Sequence, residues 1–240
     1  MSAARPSGGG SLVSPETRTR VKKLGEPIAL FFGRLGLTPN GLTLIGFGIT
    51  VLGAILVGLQ WWLIGGIVVF AGGVFDMFDG TLARATGKVS PLGAFMDSVF
   101  DRWGEAVVYV GIVWGGVIAG VDGIAVLAAA AMGAAFMVSY TRAKSEGLGF
   151  TEGTGMAAVG LMPREVRLVV LSLGLILAGI LGMSPAQIAP CGNLFCVDGP
   201  FRSGVGVLEL ALAIIALGAT ITVIQRILHV RQQAVARDGK

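Results

Sequence analysis

The chain has 240 residues, a net charge of +4, 54% hydrophobic and only 13% charged residues, and a mean hydropathy of +0.81. A soluble domain carries about twice that charged fraction, so an ordinary water-soluble globule is excluded and a single membrane domain with short polar ends is expected. The modest positive charge does not indicate nucleic acid, because the bases cluster beside apolar runs, where they set membrane topology.

Residues 1–15 read as a disordered N-terminus; Met1 to Ser14 (MSAARPSGGGSLVS) lacks the apolar core of a signal peptide. Residues 16–37 mix bases with the short apolar block Ile28 to Phe32, too short and too charged to span. A juxtamembrane amphipathic helix on an anionic surface is expected there. Thr38-Pro39-Asn40 then opens the first long apolar run.

Six transmembrane helices are expected, near Leu42–Leu59, Trp61–Leu82, Pro91–Ile118, Ile124–Ala143, Val166–Met183 and Val205–Ile227, each close to the roughly 20 residues of one crossing. The fold class is therefore an all-α integral membrane protein, with the six-helix domain over 38–230 and a basic tail over 231–240. Many of the 39 glycines lie inside apolar runs, as Gly46, Gly53, Gly58, Gly65 and Gly66 do. In a bilayer such residues let helices approach closely.

Arg18, Arg20, Lys22, Lys23 and Arg34 precede the first span, and Arg84 and Lys88 follow the second. Arg142, Lys144, Arg164 and Arg167 flank the loop after the fourth, and Arg226, Arg231, Arg237 and Lys240 close the chain. The opposite side carries only Arg202, so both termini are expected in the cytoplasm of a cell that holds the protein in its inner membrane. Cys191 and Cys196 share the outer loop, where a disulfide and two free thiols are both open readings.

The chemistry concentrates in Asp76 to Asp101, DMFDGTLARATGKVSPLGAFMDSVFD. Asp76 and Asp79 are three apart and Asp97 and Asp101 four apart, so each pair shares a helical face. Carboxylates at membrane depth are costly unless something cationic or wet compensates them. Two antiparallel helices bring all four together, where they repel unless divalent cations sit between them, and hard, oxygen-seeking Mg²⁺ or Mn²⁺ suits. Gly80, Ala83 and Gly93 withhold side chains where a flat base or a diphosphate approaches, and Arg84 supplies a fork for phosphate. The alternative from a different class is a divalent-cation transporter. It predicts inverted repeats, of which the sequence shows none, and leaves Arg84 without a role.

The pattern D-x-x-D-G-x-x-A-R-x8-G-x3-D-x3-D resembles the signature of the CDP-alcohol phosphotransferase family at every position. The likeness runs from about Arg34 to Leu168, with Thr38-Pro39-Asn40 similar to the family's entry to its first helix. The resemblance implies a six-helix membrane enzyme, a homodimer, that displaces CMP from a CDP-linked donor with an alcohol hydroxyl. It implies Asp76, Asp79, Asp97 and Asp101 as metal ligands, two ions, Asp101 also as general base, and Pro39, Gly80, Ala83, Arg84 and Gly93 at the CDP group.

Arg142, Arg164, Arg167 and Arg226 gather at the cytoplasmic mouth and suit an acceptor that already bears a phosphate. The stretches S-Y-x-R-A-K from Ser139, P-R-x-x-R from Pro163 and the pair Gln225-Arg226 are similar to bacterial phosphatidylinositol-phosphate synthases. That likeness implies CDP-diacylglycerol as donor and inositol 1-phosphate as acceptor, with glycerol 3-phosphate as the alternative. Glu105, one turn beyond Asp101, is expected to orient Arg102 or an acceptor hydroxyl, or to make an interhelical hydrogen bond.

Overall fold

The computed structural model describes residues 27–150, 159–182 and 204–238. Among them every regular element is a helix: α1 (Pro39–Gly58), α2 (Trp62–Ala85), α3 (Pro91–Ile118), α4 (Asp122–Gly147), α5 (Arg164–Ile180) and α6 (Gly204–Asp238), preceded by a short turn of helix over 27–34. The expectations for residues 1–15, for most of 16–37 and for Cys191 and Cys196 lie outside the described residues.

Helix starts follow local chemistry. Thr38 caps α1, its hydroxyl accepting from the Gly41 amide at 3.1 Å, and Pro39 occupies the first turn, where its missing N–H costs nothing. Ser90 and Pro91 repeat the device at α3, with Ser90 Oγ accepting from Gly93 N at 3.0 Å. Between them α2 ends at Ala85, and Gly87 turns the chain at φ +67°. Gln60 holds a similar conformation, φ +67°, at the α1–α2 turn without being glycine. Its amide donates to the Gly115 carbonyl at 3.4 Å, which ties that strained turn to α3.

Four helices, α1, α2, α4 and α6, are long and apolar enough to cross a membrane. The other two differ for visible reasons. α3 carries Asp97, Asp101, Arg102 and Glu105, and α5 has only 17 residues, with Arg164, Glu165 and Arg167 in its first turn. α6 runs to Asp238, well beyond the expected end at Ile227. Its last turns contain no glycine or proline, and Arg237 lies 4.6 Å over the Phe150 ring while donating to the Gly149 carbonyl at 2.5 Å.

α1 packs on α2 and α3, α2 on α5, α3 on α4, and α6 on α4 and α5. Tyr109, Ile112, Leu175, Leu208, Leu212 and Ile215 fill the centre with no exposed surface. Small residues set the spacing. A Cβ on Gly53 would stand 2.9 Å from Val69 N, and one on Gly65 would stand 2.9 Å from Val57 N, so α1 and α2 touch backbone to backbone. On α3 a Cβ at Gly111 would stand 3.0 Å from the Ala54 carbonyl carbon. The obstacle is main chain and cannot rotate away.

Gly111→Ala is therefore expected to push α1 and α3 apart, at a cost of about 1–3 kcal/mol. The melting point in detergent should fall by roughly 5 °C on the usual scaling for chains of this size. Gly133→Ala on α4 meets nothing within 4 Å and should leave the melting curve in place.

Candidate active site

The end of α2, the starts of α1, α3 and α5, and the C-terminal halves of α4 and α6 meet at one end of the bundle. Asp76, Asp97 and Asp101 there each offer a carboxylate oxygen within 4.8 Å of the others. Three oxygen donors this close form a chemically suitable set for a hard divalent ion, and α2 and α3 deliver them from rigid helix rather than loop.

Asp79 does not join that triad. It is 5% exposed and turned towards α1, where its carboxylate accepts from the Thr43 hydroxyl and from the Gly80 amide. The cause is helical geometry. A residue three positions on is offset by roughly 60° around the axis. Asp79 therefore faces Thr43 of α1 while Asp76 faces Arg164 and the α3 carboxylates, and that offset is enough to separate the two. The expected single cluster of four is thus a triad with a fourth carboxylate beside it.

Arg164, the first residue of α5, reaches into the triad. Its Nη1 donates to Asp76 Oδ2 at 2.9 Å and stands 2.7 Å from Asp101 Oδ1. Arg167, one turn later, is 1% exposed and grips Glu105 with two parallel bonds, Nε to Oε1 at 2.7 Å and Nη2 to Oε2 at 2.8 Å. Its Nη1 donates to the Met162 carbonyl at 3.0 Å. Arg226, 4% exposed, donates through Nε to Val159 O at 3.1 Å and through Nη1 to Val138 O. Arg142 pairs with Glu146 at 2.9 Å on the exposed side of α4. All four arginines line the cleft, as the clustering of basic residues suggested, and each already has a partner.

The cleft itself encloses about 540 Å³. Its lining includes the four aspartates and Arg84 together with Arg142, Arg164, Arg167, Arg226 and Ser139. A second hollow of about 250 Å³ is lined by Pro39, Thr43, Gly80, Ala83, Arg84, Gly93 and Asp97. Asp79, Gly80, Arg84 and Asp97 border both spaces, so the two meet at Asp97, whose triad partners Asp76 and Asp101 line the larger one. A Cβ on Gly80 would stand 3.3 Å from Arg84 Nη1, so the glycine leaves room for the guanidinium along the helix. Thr43, Glu105 and Ser139 are the members of this site that sequence reading left without a settled role. Thr43 and Glu105 find their partners on other helices, whereas Ser139 donates to the Ala135 carbonyl of its own helix, and only Glu105 carried a spacing signal, one turn past Asp101.

The sequence matches the family model described as CDP-alcohol phosphatidyltransferase over residues 36–215. It is 36% identical over 161 residues to the archaetidylinositol phosphate synthase of Pyrococcus horikoshii, covering 67% of this chain and 79% of that protein. It is 30% identical to the phosphatidylinositol phosphate synthase of Streptomyces avermitilis over 99% of this chain and 90% of the relative. The fold is similar to the crystal structure of Mycobacterium tuberculosis phosphatidylinositol phosphate synthase with CDP-DAG bound, at a TM-score of 0.69 and 26% identity, covering 87% of this chain and 94% of that one. It is also similar to the structure of that enzyme in complex with manganese and citrate, at a TM-score of 0.66 and 25% identity over 86% and 88% of the two chains.

Proposed function

Because the chain belongs to the CDP-alcohol phosphatidyltransferase family, we propose that it transfers the phosphatidyl group of CDP-diacylglycerol to inositol 1-phosphate. The products are phosphatidylinositol phosphate and CMP. One observation carries the reading: three carboxylates within 4.8 Å line an arginine-rich cleft, and one of them, Asp97, also borders a glycine-lined hollow. Donor and phosphorylated acceptor then approach the same centre from two sides.

In this reading Asp76, Asp97 and Asp101, with Asp79 beside them, hold two Mg²⁺ or Mn²⁺ ions, which when bound neutralise the donor diphosphate and the departing CMP. Pro39, Gly80, Ala83 and Gly93 leave space for the CDP group, and the Arg84 guanidinium meets its phosphates. Asp101 accepts the proton of the attacking hydroxyl as that oxygen bonds to the lipid-linked phosphorus and the bond to CMP breaks. Arg142, Arg164 and Arg226 face the acceptor phosphate. Arg167 is assigned to positioning, since Glu105 and the Met162 carbonyl already hold its fork.

The reading includes a homodimer whose six-helix domain, residues 38–230, crosses the inner membrane six times. The catalytic end and both termini face the cytoplasm. The basic residues at that end support this orientation.

The test is CMP release from labelled CDP-diacylglycerol with Mg²⁺ or Mn²⁺ and, in separate arms, inositol 1-phosphate, inositol, glycerol 3-phosphate and serine. Turnover with inositol 1-phosphate should exceed that with inositol and serine at least tenfold, because those two bring no phosphate to Arg142, Arg164 and Arg226, and it should also exceed that with glycerol 3-phosphate. Preference for glycerol 3-phosphate would replace the acceptor, and release in no arm would overturn the reading.

A further inference from the structure

Arg164 stands at two sites that it cannot serve at once. Its guanidinium bridges Asp76 and Asp101 at 2.9 and 2.7 Å, on the carboxylates assigned to the cation. It also lines the cleft assigned to the acceptor phosphate. A divalent ion binds carboxylate oxygen directly, at about 2.0–2.1 Å for Mg²⁺, and a guanidinium bridging the same carboxylates competes with it for both charge and space.

The backbone beneath Arg164 is firmly held. Pro163 precedes it as the cap of α5, and Met162 is anchored by its amide to Thr222 Oγ1 at 2.9 Å and by its carbonyl to Arg167. Arg167 in turn is locked to Glu105. What remains free to change is the Arg164 side chain, which has several rotatable bonds and is 31% exposed.

Resting on the two-substrate, cation-dependent reading, we propose that Arg164 hands over between the two sites. It neutralises Asp76 and Asp101 until a divalent cation takes them, and it then turns to the acceptor phosphate across the cleft. Cation and acceptor therefore bind cooperatively, and Arg164 is the residue through which they are coupled. Such coupling is reciprocal: if the cation strengthens acceptor binding by a given factor, the acceptor strengthens cation binding by the same factor.

The experiment measures binding rather than turnover. Free Mn²⁺ is followed by electron paramagnetic resonance on the purified full chain, and inositol 1-phosphate by calorimetry with and without Mn²⁺. In the unaltered protein Mn²⁺ should tighten inositol 1-phosphate about tenfold, within the usual range of coupling between sites. In Arg164→Gln, Mn²⁺ alone should bind roughly tenfold tighter, since a competing charge has been removed, and acceptor affinity should no longer respond to Mn²⁺.

Arg164→Lys serves where the glutamine variant does not fold. A single ammonium does not reproduce the planar fork, so it should show the same two changes, reduced to about threefold. Mn²⁺ binding to the unaltered chain with no gain in either variant would overturn the hand-over alone. Mn²⁺ binding to none of the three proteins would overturn the cation reading beneath it.

Discussion

Asp101→Asn is expected to lower CMP release by roughly 10³-fold, the scale of a lost general base, while the protein still inserts and runs as a single species on size exclusion. Asparagine nearly preserves shape, so packing gives no reason for the loss. It removes one of the three carboxylates that meet within 4.8 Å, and it removes the acceptor for the hydroxyl proton. Asp97→Asn should fall comparably at limiting Mn²⁺ but for a different reason. Asp97 holds cation without serving as base, so raising Mn²⁺ a hundredfold should restore a large part of its activity by mass action and should restore almost none to Asp101→Asn. Full activity in either variant would end the assignment. Equal rescue of both would remove Asp101 from the role of base and leave it a ligand.

The division between readable and unreadable features follows the range of the interactions. Caps are local, so Thr38-Pro39 and Ser90-Pro91 marked the starts of α1 and α3 directly, with hydroxyls 3.1 and 3.0 Å from the amides they satisfy. The spacing of Asp97 and Asp101 likewise survives into the structure, because residues four apart on one helix share a face whatever surrounds them. The partition of Asp76 from Asp79 was not readable. It depends on which face of α2 meets Thr43 of α1, a relation between helices that no spacing within α2 encodes. The arginines show the same limit. Their presence at one end followed from the pattern of charge, but their partners, Asp76 and Asp101 for Arg164, Glu105 for Arg167 and two carbonyls for Arg226, are all 62 or more residues away. Charge patterning locates a basic cluster; interhelical packing decides which members are already paired.

That distinction gives Glu105 its weight. Arg167 is 1% exposed and its fork is matched to a single carboxylate, so Glu105→Ala strands a buried cation. Breaking such a pair from one side costs about 3–5 kcal/mol, which corresponds to a melting point lower by on the order of 10 °C. Replacing both partners by leucine removes both charges together and should recover most of that loss. Glu105→Gln then separates the two roles open to Arg167. Glutamine fills the same volume but offers one acceptor oxygen, so half the fork is released. If Arg167 binds the acceptor phosphate itself, the released donors leave KM for inositol 1-phosphate unchanged or lower it. If Arg167 fixes the start of α5 so that Arg164 aims correctly, the loosened grip raises KM for inositol 1-phosphate about tenfold and leaves KM for CDP-diacylglycerol in place. The second outcome is expected, because Arg167 also holds the Met162 carbonyl, two residues from Arg164, and the pair it forms with Glu105 ties α5 to the helix that carries Asp97 and Asp101.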